Sequence, residues 1–323
     1  MKIFVTGGSG YIGSVVVRHL VEKGHDVTVF DNLERGHRVN VDAKARLVVG
    51  DLRNASEIRE AVRLADPDAV MHFAAYALVG ESMSDPSKYF LNNVSGGVNL
   101  LSAMEETGCR RIVFSSSCAT YGVPPALPIE EDMPQSPTNP YGLSKLMFEQ
   151  MCTWLQDTKG FRPTFMRYFN AAGAAEGMVE SHDPETHIIP NVLKVALGLR
   201  DCVSVFGCDY STPDGTCIRD YVHVEDLSSA HILALEKEAI GAFNLGTGSG
   251  VSVREVVETC RKVTGHPIPV KECPRRPGDP PALYASGRKA GEILGWKPVR
   301  SDIGTIVQDA WNAHRRFPNG YGR

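Results

Sequence analysis

Short apolar runs rich in β-branched residues recur through the first half of the chain, at Lys2–Thr6, Asp26–Phe30, Ala45–Val49, Ala69–Phe73, Arg111–Ser115 and Pro163–Arg167. Stretches of helical periodicity separate them. Strands that are apolar at nearly every position are buried on both faces, and their alternation with helices predicts a parallel, doubly wound α/β sheet. The first unit is the clearest: Ile12, Val15, Val16, His19, Leu20 and Lys23 share a helical repeat, and Gly24 supplies the stop. From about Ala174 the rhythm breaks into turn-rich stretches, among them Asp209–Gly215 and Cys273–Pro281. We therefore expect residues 1–173 to form the sheet domain and residues 174–323 mainly a smaller α/β lobe, with Asp220–Val224 and Ala242–Gly246 able to return to the main sheet.

Composition narrows the class more than the chemistry. A chain of 323 residues can bury a sizeable core without disulfides, and a formal charge of −4 favours neither nucleic acid nor an anionic membrane as partner. The eight cysteines are scattered without a C-x-x-C pair, which fits reduced thiols in a cytoplasm, and no metal site is expected. Met1-Lys2 leads directly into Ile3-Phe4-Val5 and a glycine turn, so neither a signal peptide nor a membrane span is expected.

The first run is followed by Thr6-Gly7-Gly8-Ser9-Gly10-Tyr11-Ile12-Gly13. Gly7, Gly10 and Gly13 let backbone N–H groups approach a pyrophosphate at a helix N-terminus, and the preceding strand and following helix are the context such a motif needs. Without that context it is only a flexible turn. Asp31 lies 18 residues beyond Gly13 at the end of the second run, where a carboxylate accepts both ribose hydroxyls and repels a 2′-phosphate, which argues for NAD. Arg35 and Arg38 follow closely and keep the phosphorylated cofactor in view. Asp51, after the third run, is either an adenine-side contact or the cap of the next helix.

Asn139-Pro140-Tyr141-Gly142-Leu143-Ser144-Lys145 places a tyrosine and a lysine four residues apart, and a periodic helix is expected from Lys145 through Leu146, Phe148, Glu149, Met151 and Cys152. A phenol with an ordinary pKa of about 10 is a poor base at neutral pH; a nearby ammonium and a cationic nicotinamide would lower it. Such pairs also arise by chance as a surface tyrosine and a solvated lysine. What distinguishes this one is its position downstream of a run ending in Ser115-Ser116-Ser117, whose hydroxyls can relay a proton between substrate and phenol.

Thr6–Gly13, Asp31, His72-Phe73-Ala74-Ala75, Ser115–Ser117 with Tyr121-Gly122, Tyr141–Lys145, Arg167–Asn170 and Arg219–His223 together resemble the UDP-glucose 4-epimerases, extended short-chain dehydrogenases/reductases, over nearly the whole chain. The resemblance implies a Rossmann-type sheet with a C-terminal substrate-binding lobe. It also implies reversible C4 epimerisation of UDP-hexoses through a 4-keto sugar, with Ser117, Tyr141 and Lys145 catalytic. Cofactor contacts carried over are Gly7, Gly10, Tyr11, Ile12, Gly13, Asp31, Asn32, Asp51, Leu52, Phe73, Ala74, Ala75, Asn93, Ser115, Tyr141, Lys145 and Tyr168. Around the UDP-sugar it places Ser117, Tyr141, Asn170, His187, Ile188, Phe206, Arg219, Arg276, Asp279 and Leu283, with the arginines as diphosphate clamps and Asp279 on the ribose. Arg219 could instead pair with Asp220, Phe206 could be core, and His187 a plain loop residue.

Related dehydratases and decarboxylases resemble the chain but carry an acid just after the residue matching Ser117. Here Cys118-Ala119 follow, so elimination lacks its acid and base and epimerisation is the expected outcome. A non-catalytic NAD-binding protein is the alternative from another class. The chain departs from well-known bacterial relatives at Ala77, where they carry a lysine, and at Leu283, where a tyrosine often borders the sugar pocket. Loss of that ring leaves room beside the sugar 2-position for an N-acetyl group. The resemblance also implies a homodimer built on apolar faces of Val94–Met104 and Leu143–Leu155, although core packing accounts for such faces equally.

Overall fold

The structure, a computed structural model, describes residues 1–276 and 279–321. In chain order its strands are β1 (Lys2–Thr6), β2 (Asp26–Asp31), β3 (Arg46–Val49), β4 (Ala69–His72), β5 (Arg111–Ser115), β6 (Arg162–Arg167), β7 (Asn170–Ala172), β8 (Val203–Phe206), β9 (Ile218–Arg219), β10 (Tyr221–His223), β11 (Gly241–Asn244), β12 (Val251–Ser252), β13 (Val270–Cys273) and β14 (Ala282–Leu283). The helices are α1 (Tyr11–Glu22), α2 (Ala55–Ala65), α3 (Val79–Ser84), α4 (Pro86–Tyr89), α5 (Gly96–Thr107), α6 (Pro140–Lys159), α7 (Ile188–Ala196), α8 (Val224–Glu236), α9 (Val253–Thr264) and α10 (Ile303–Arg316).

Seven parallel strands form the central sheet in the order β11-β6-β5-β4-β1-β2-β3. Ile3, Phe4 and Val5 are buried on both sides, as the unbroken apolar run requires. On one face Val16, Val17 and Leu20 of α1 pack with Leu227, Ala230 and Leu235 of α8. On the other, Ile58 and Val62 of α2, Leu100 and Met104 of α5, and Phe148 and Cys152 of α6 cover Phe4, Phe30 and Phe114. A separate core joins α7, α9 and α10 through Val192, Leu193, Val256, Val257, Ile306 and Trp311. Among the described residues no helix is long and apolar enough to cross a membrane.

The structure differs from the sequence reading in several places. α6 begins at Pro140, five residues before Lys145, because Asn139 caps it by accepting the Gly142 N–H at 2.8 Å and proline suits a first helical position. The Asp220–Val224 run does not reach the main sheet: β10 pairs with β7, while β11 lies beside β6. α8 lies beyond residue 174 yet packs on α1, so the two parts of the chain interleave. Strand ends move by a residue, β2 extending to Asp31 and β4 stopping at His72.

Candidate active site

Strand order reverses between β1 and β4, and sheets of this kind hold ligands in the crevice at the carboxyl ends of the strands beside that point. The glycine turn lies there. Gly7 has φ +72°, and a Cβ on it would sit 2.5 Å from the Ala74 nitrogen, while one on Gly13 would meet the Gly7 carbonyl oxygen at 2.2 Å. Only a bare backbone fits. Gly10 caps α1, so Tyr11 and Ile12 open the helix with N–H groups that have no intrahelical acceptor. Asp31 is buried at the end of β2; its Oδ2 accepts from Ser9 N at 3.0 Å and its Oδ1 from Leu33 N at 2.9 Å. Arg35 is turned away, donating to the Asp183 carbonyl and facing Glu81 at 3.5 Å. A flush backbone at a helix N-terminus beside a fixed carboxylate fits the pyrophosphate and ribose of NAD.

The neighbouring loops complete this cleft. Asp51 accepts from Asn32 at 3.1 Å and pairs with Arg53, which holds its carboxyl well below the usual range. Asn54, not Asp51, caps α2, which removes one of the two roles open to Asp51. Leu52 is buried, and its carbonyl accepts from Asn99 at 2.8 Å. After β4, Phe73 N donates to the Thr6 carbonyl at 2.9 Å, and Ala74 and Ala75 continue past Gly7. Asn93, in a π-helical turn over Phe90–Ser95, accepts from Tyr76 N at 2.9 Å and donates to Ser144 Oγ at 3.0 Å, tying this loop to α6.

His72 joins the ends of β1 and β4 through Thr6 Oγ1 at 2.6 Å, and burial lowers its pKa to about 3. The native ring therefore stays neutral where an unfolded histidine, near 6.5, binds a proton. Stability is intact above about pH 6.5 and is lost as pH falls toward about 3. Urea midpoints are expected to decline from about pH 7 to about pH 5, less steeply in His72→Leu; equal slopes would show that His72 is not a linked group.

Three side chains meet at the ends of β5 and α6. Burial pushes the Tyr141 phenol up in pKa, and a hydrogen bond with Ser117 acts against it. Lys145 Nζ donates to the Ser115 carbonyl at 2.7 Å and stands 5.9 Å from the Tyr141 ring; burial lowers its pKa to about 7. Ser117 Oγ accepts from Ala119 N at 3.1 Å, and Tyr168 OH lies 2.5 Å from Ser115 Oγ. Cys118 is buried. Behind them is a polar network that the sequence reading missed. Glu149, one turn past Lys145, accepts from Arg167 Nε at 3.0 Å, from Gln135 at 3.3 Å and from Ser116, while Arg167 Nη1 donates to Tyr121 OH at 2.7 Å and Tyr121 to Asn244 at 2.8 Å.

In the smaller lobe, β14 lies parallel to β9 with Leu283 opposite Arg219. Arg219 pairs with Asp279, not with Asp220, whose buried carboxylate accepts from Thr247 N, Thr247 Oγ1 and Ala285 N. Arg276 lies 4.2 Å over the Phe206 ring, and Asp279 N donates to the Arg276 carbonyl. Asn170 donates to the Asp220 carbonyl through both its backbone and its side chain. Leu283 packs with Phe169 around Cys118, Tyr121 and Ile129. His187 occupies the N-cap position of α7, which Ile188 opens, and its ring faces Glu180 and Glu185 at 2.9 Å.

A parallel sheet with a bare glycine turn, a carboxylate at the end of β2 and a serine, tyrosine and lysine at the end of β5 defines a nicotinamide-nucleotide enzyme of the short-chain dehydrogenase type. Residues 3–246 match the NAD dependent epimerase/dehydratase family. The chain belongs to that family. It is 50% identical to a UDP-glucose 4-epimerase of Halalkalibacterium halodurans over 99% of this chain and 98% of the relative. A crystal structure of UDP-glucose 4-epimerase superposes with a TM-score of 0.96 at 47% identity, covering 99% of each chain. One from Brucella ovis in complex with NAD gives 0.93 at 48% identity, covering 96% of this chain and 97% of the other.

Proposed function

We infer that this chain is an NAD-dependent isomerase that interconverts UDP-glucose and UDP-galactose at C4. The observation that carries the reading is the Ser117–Tyr141–Lys145 group with buried Cys118 and Ala119 following the serine, so that base and relay are present and the acid needed for elimination is not. NAD⁺, when bound at the glycine turn, would supply a reversible acceptor for the C4 hydride. Tyr141 takes the 4-hydroxyl proton, directly or through Ser117, and returns it when the 4-keto sugar is reduced on its other face. Lys145 stands 5.9 Å from the Tyr141 ring, where an ammonium would favour the phenolate. Asn170, Phe206, Arg219, Arg276 and Asp279 hold the UDP portion, whose phosphate linkage is the axis about which the keto sugar turns. Incubation with UDP-galactose and no added NAD, followed by NMR, is the test: UDP-glucose is expected, and a dehydrated, decarboxylated or unchanged sugar nucleotide overturns the reading.

Leu283 favours a wider substrate range. Its branched side chain, packed with Phe169 and Cys118 and opposite Arg219 in register, is smaller than an aromatic ring. UDP-N-acetylglucosamine is expected to be epimerised as well, and Leu283→Tyr to lose that activity while keeping UDP-galactose turnover. Wild-type enzyme that turns over only the unsubstituted hexose at saturating substrate rules this out.

The enzyme is also proposed to be a homodimer in a reducing cytoplasm, in keeping with its free cysteines. α6 exposes Leu143 and Trp154, the latter at 70%, while Leu91 and Val98 are exposed beside and on α5. Paired copies would bury these faces. Light scattering is expected to give twice the chain mass, and Trp154→Glu to give the chain mass; a wild-type monomer refutes the pairing.

A further inference from the structure

The segment between β7 and α7 folds so that Glu180, His182, Glu185 and His187 each offer one donor atom to a common point, all within 4.8 Å of one another. His187 Nδ1 is 2.9 Å from an oxygen of Glu180 and from one of Glu185, and His182 Nδ1 is 3.4 Å and 3.6 Å from the same two carboxylates. A tetrahedral zinc with bonds of about 2.0–2.1 Å sets its ligands about 3.3 Å apart; the four His–Glu separations lie near that value, and the widest donor pairs, within 4.8 Å, would draw in around an ion. The second observation is burial without a well-aligned hydrogen bond. Glu180 is only 5% exposed, and its Oε1 and His182 Nδ1 meet the facing groups of the cluster as close ion-pair contacts of 2.9–3.6 Å whose angles make no hydrogen bond. Polar atoms left so cost free energy unless something takes up their lone pairs.

We propose that Glu180, His182, Glu185 and His187 bind one divalent transition-metal ion, Zn²⁺ in the first instance. Two carboxylates and two imidazoles that give up their protons to solvent as the ion binds balance a charge of +2, and the nitrogen donors select against the hard cations Mg²⁺ and Ca²⁺. The ion's place is structural, because four protein ligands leave no open position for substrate. The His182 ring stands edge-on to Tyr11, with centroids 6.0 Å apart, and Tyr11 OH donates to the Gly173 carbonyl at 2.7 Å. The metal would therefore clasp the 180–187 loop against the glycine turn and fix the first turn of α7, which His187 caps.

The test is titration of tag-free, chelator-washed enzyme with Co²⁺ in place of Zn²⁺. One equivalent per chain with tetrahedral ligand-field bands is expected. Glu180→Gln and His182→Gln are each expected to weaken binding by more than the about 10–100-fold that loss of an outer-shell partner costs. Thiolate charge-transfer bands would put the ion on cysteine and overturn the proposal, as would undisturbed binding in both variants or no binding by the wild type. If a variant does not fold, crystals of wild-type enzyme soaked in Zn²⁺ decide. An anomalous peak between the four side chains supports the site, and a peak only elsewhere, or none, refutes it.

Discussion

Tyr141→Phe is expected to lower kcat by about 10²–10⁴-fold while leaving the fold and the bound NAD intact, because it removes one oxygen and the proton transfer that depends on it. The phenol is buried, which disfavours its charged form, and the hydrogen bond with Ser117 acts the other way. Loss of the hydroxyl therefore removes a group made effective by its surroundings, which no neighbouring side chain replaces: Ser117 has a higher intrinsic pKa, and Lys145 donates to the Ser115 carbonyl. Two measurements check this. Steady-state turnover of UDP-galactose should fall, and UDP-galactose should no longer raise the near-ultraviolet absorbance of reduced nicotinamide, while cofactor content after gel filtration is unchanged. Turnover equal to wild type would move the base elsewhere. Absence of both turnover and substrate-dependent absorbance in the wild type itself would favour a binding protein that has lost the chemistry.

Parts of this site are legible in the sequence because they are local. The glycine turn, the strand before it and the helix after it occupy Lys2–Glu22, and the steric demand on Gly7 and Gly13 comes largely from that stretch and the loop beside it. Tyr141 and Lys145 are likewise linked by one helix. The helix starts five residues ahead of the expected Lys145, because apolar periodicity reports only where a face is buried and α6 begins in a capped first turn whose signal is Asn139-Pro140. Pairing at longer range leaves no such trace. β10 has the apolar character of a central strand, yet its partner is β7, with Tyr221 opposite Asn170, and only the packed lobe decides between them. The clustering of Glu180, His182, Glu185 and His187 has a signal in hindsight, three acids and two histidines within eight residues. What the sequence does not carry is the loop geometry that turns all four inward. Glu149 is the extreme case, since a glutamate on a helix with exposed positions reads as solvated and instead lies in the core.

Glu149→Ala is expected to destabilise the protein by about 3–5 kcal/mol, more than its distance from the reacting atoms suggests. Glu149 and Arg167 have side chains only 4% and 6% exposed, and the carboxylate is the sole acid the guanidinium meets among the described ion pairs. Removing it leaves a buried cation with Tyr121 as its remaining hydrogen-bond partner, and Ser116 loses an acceptor as well. Chemical denaturation of the wild type and the variant at equal NAD concentration measures the loss. Removing both charges discriminates the cause: Glu149→Met combined with Arg167→Met should cost less than the sum of the single changes, because no uncompensated charge is left behind. Additive losses would mean that packing and not charge dominates. The same network also ties the site together. Glu149 shares α6 with Tyr141 and Lys145, Arg167 ends β6, Ser116 adjoins Ser117, and Asn244 ends β11. A variant that folds is therefore expected to show a lower kcat with little change in KM, since what loosens is the register between the base and the serine, not the grip on UDP.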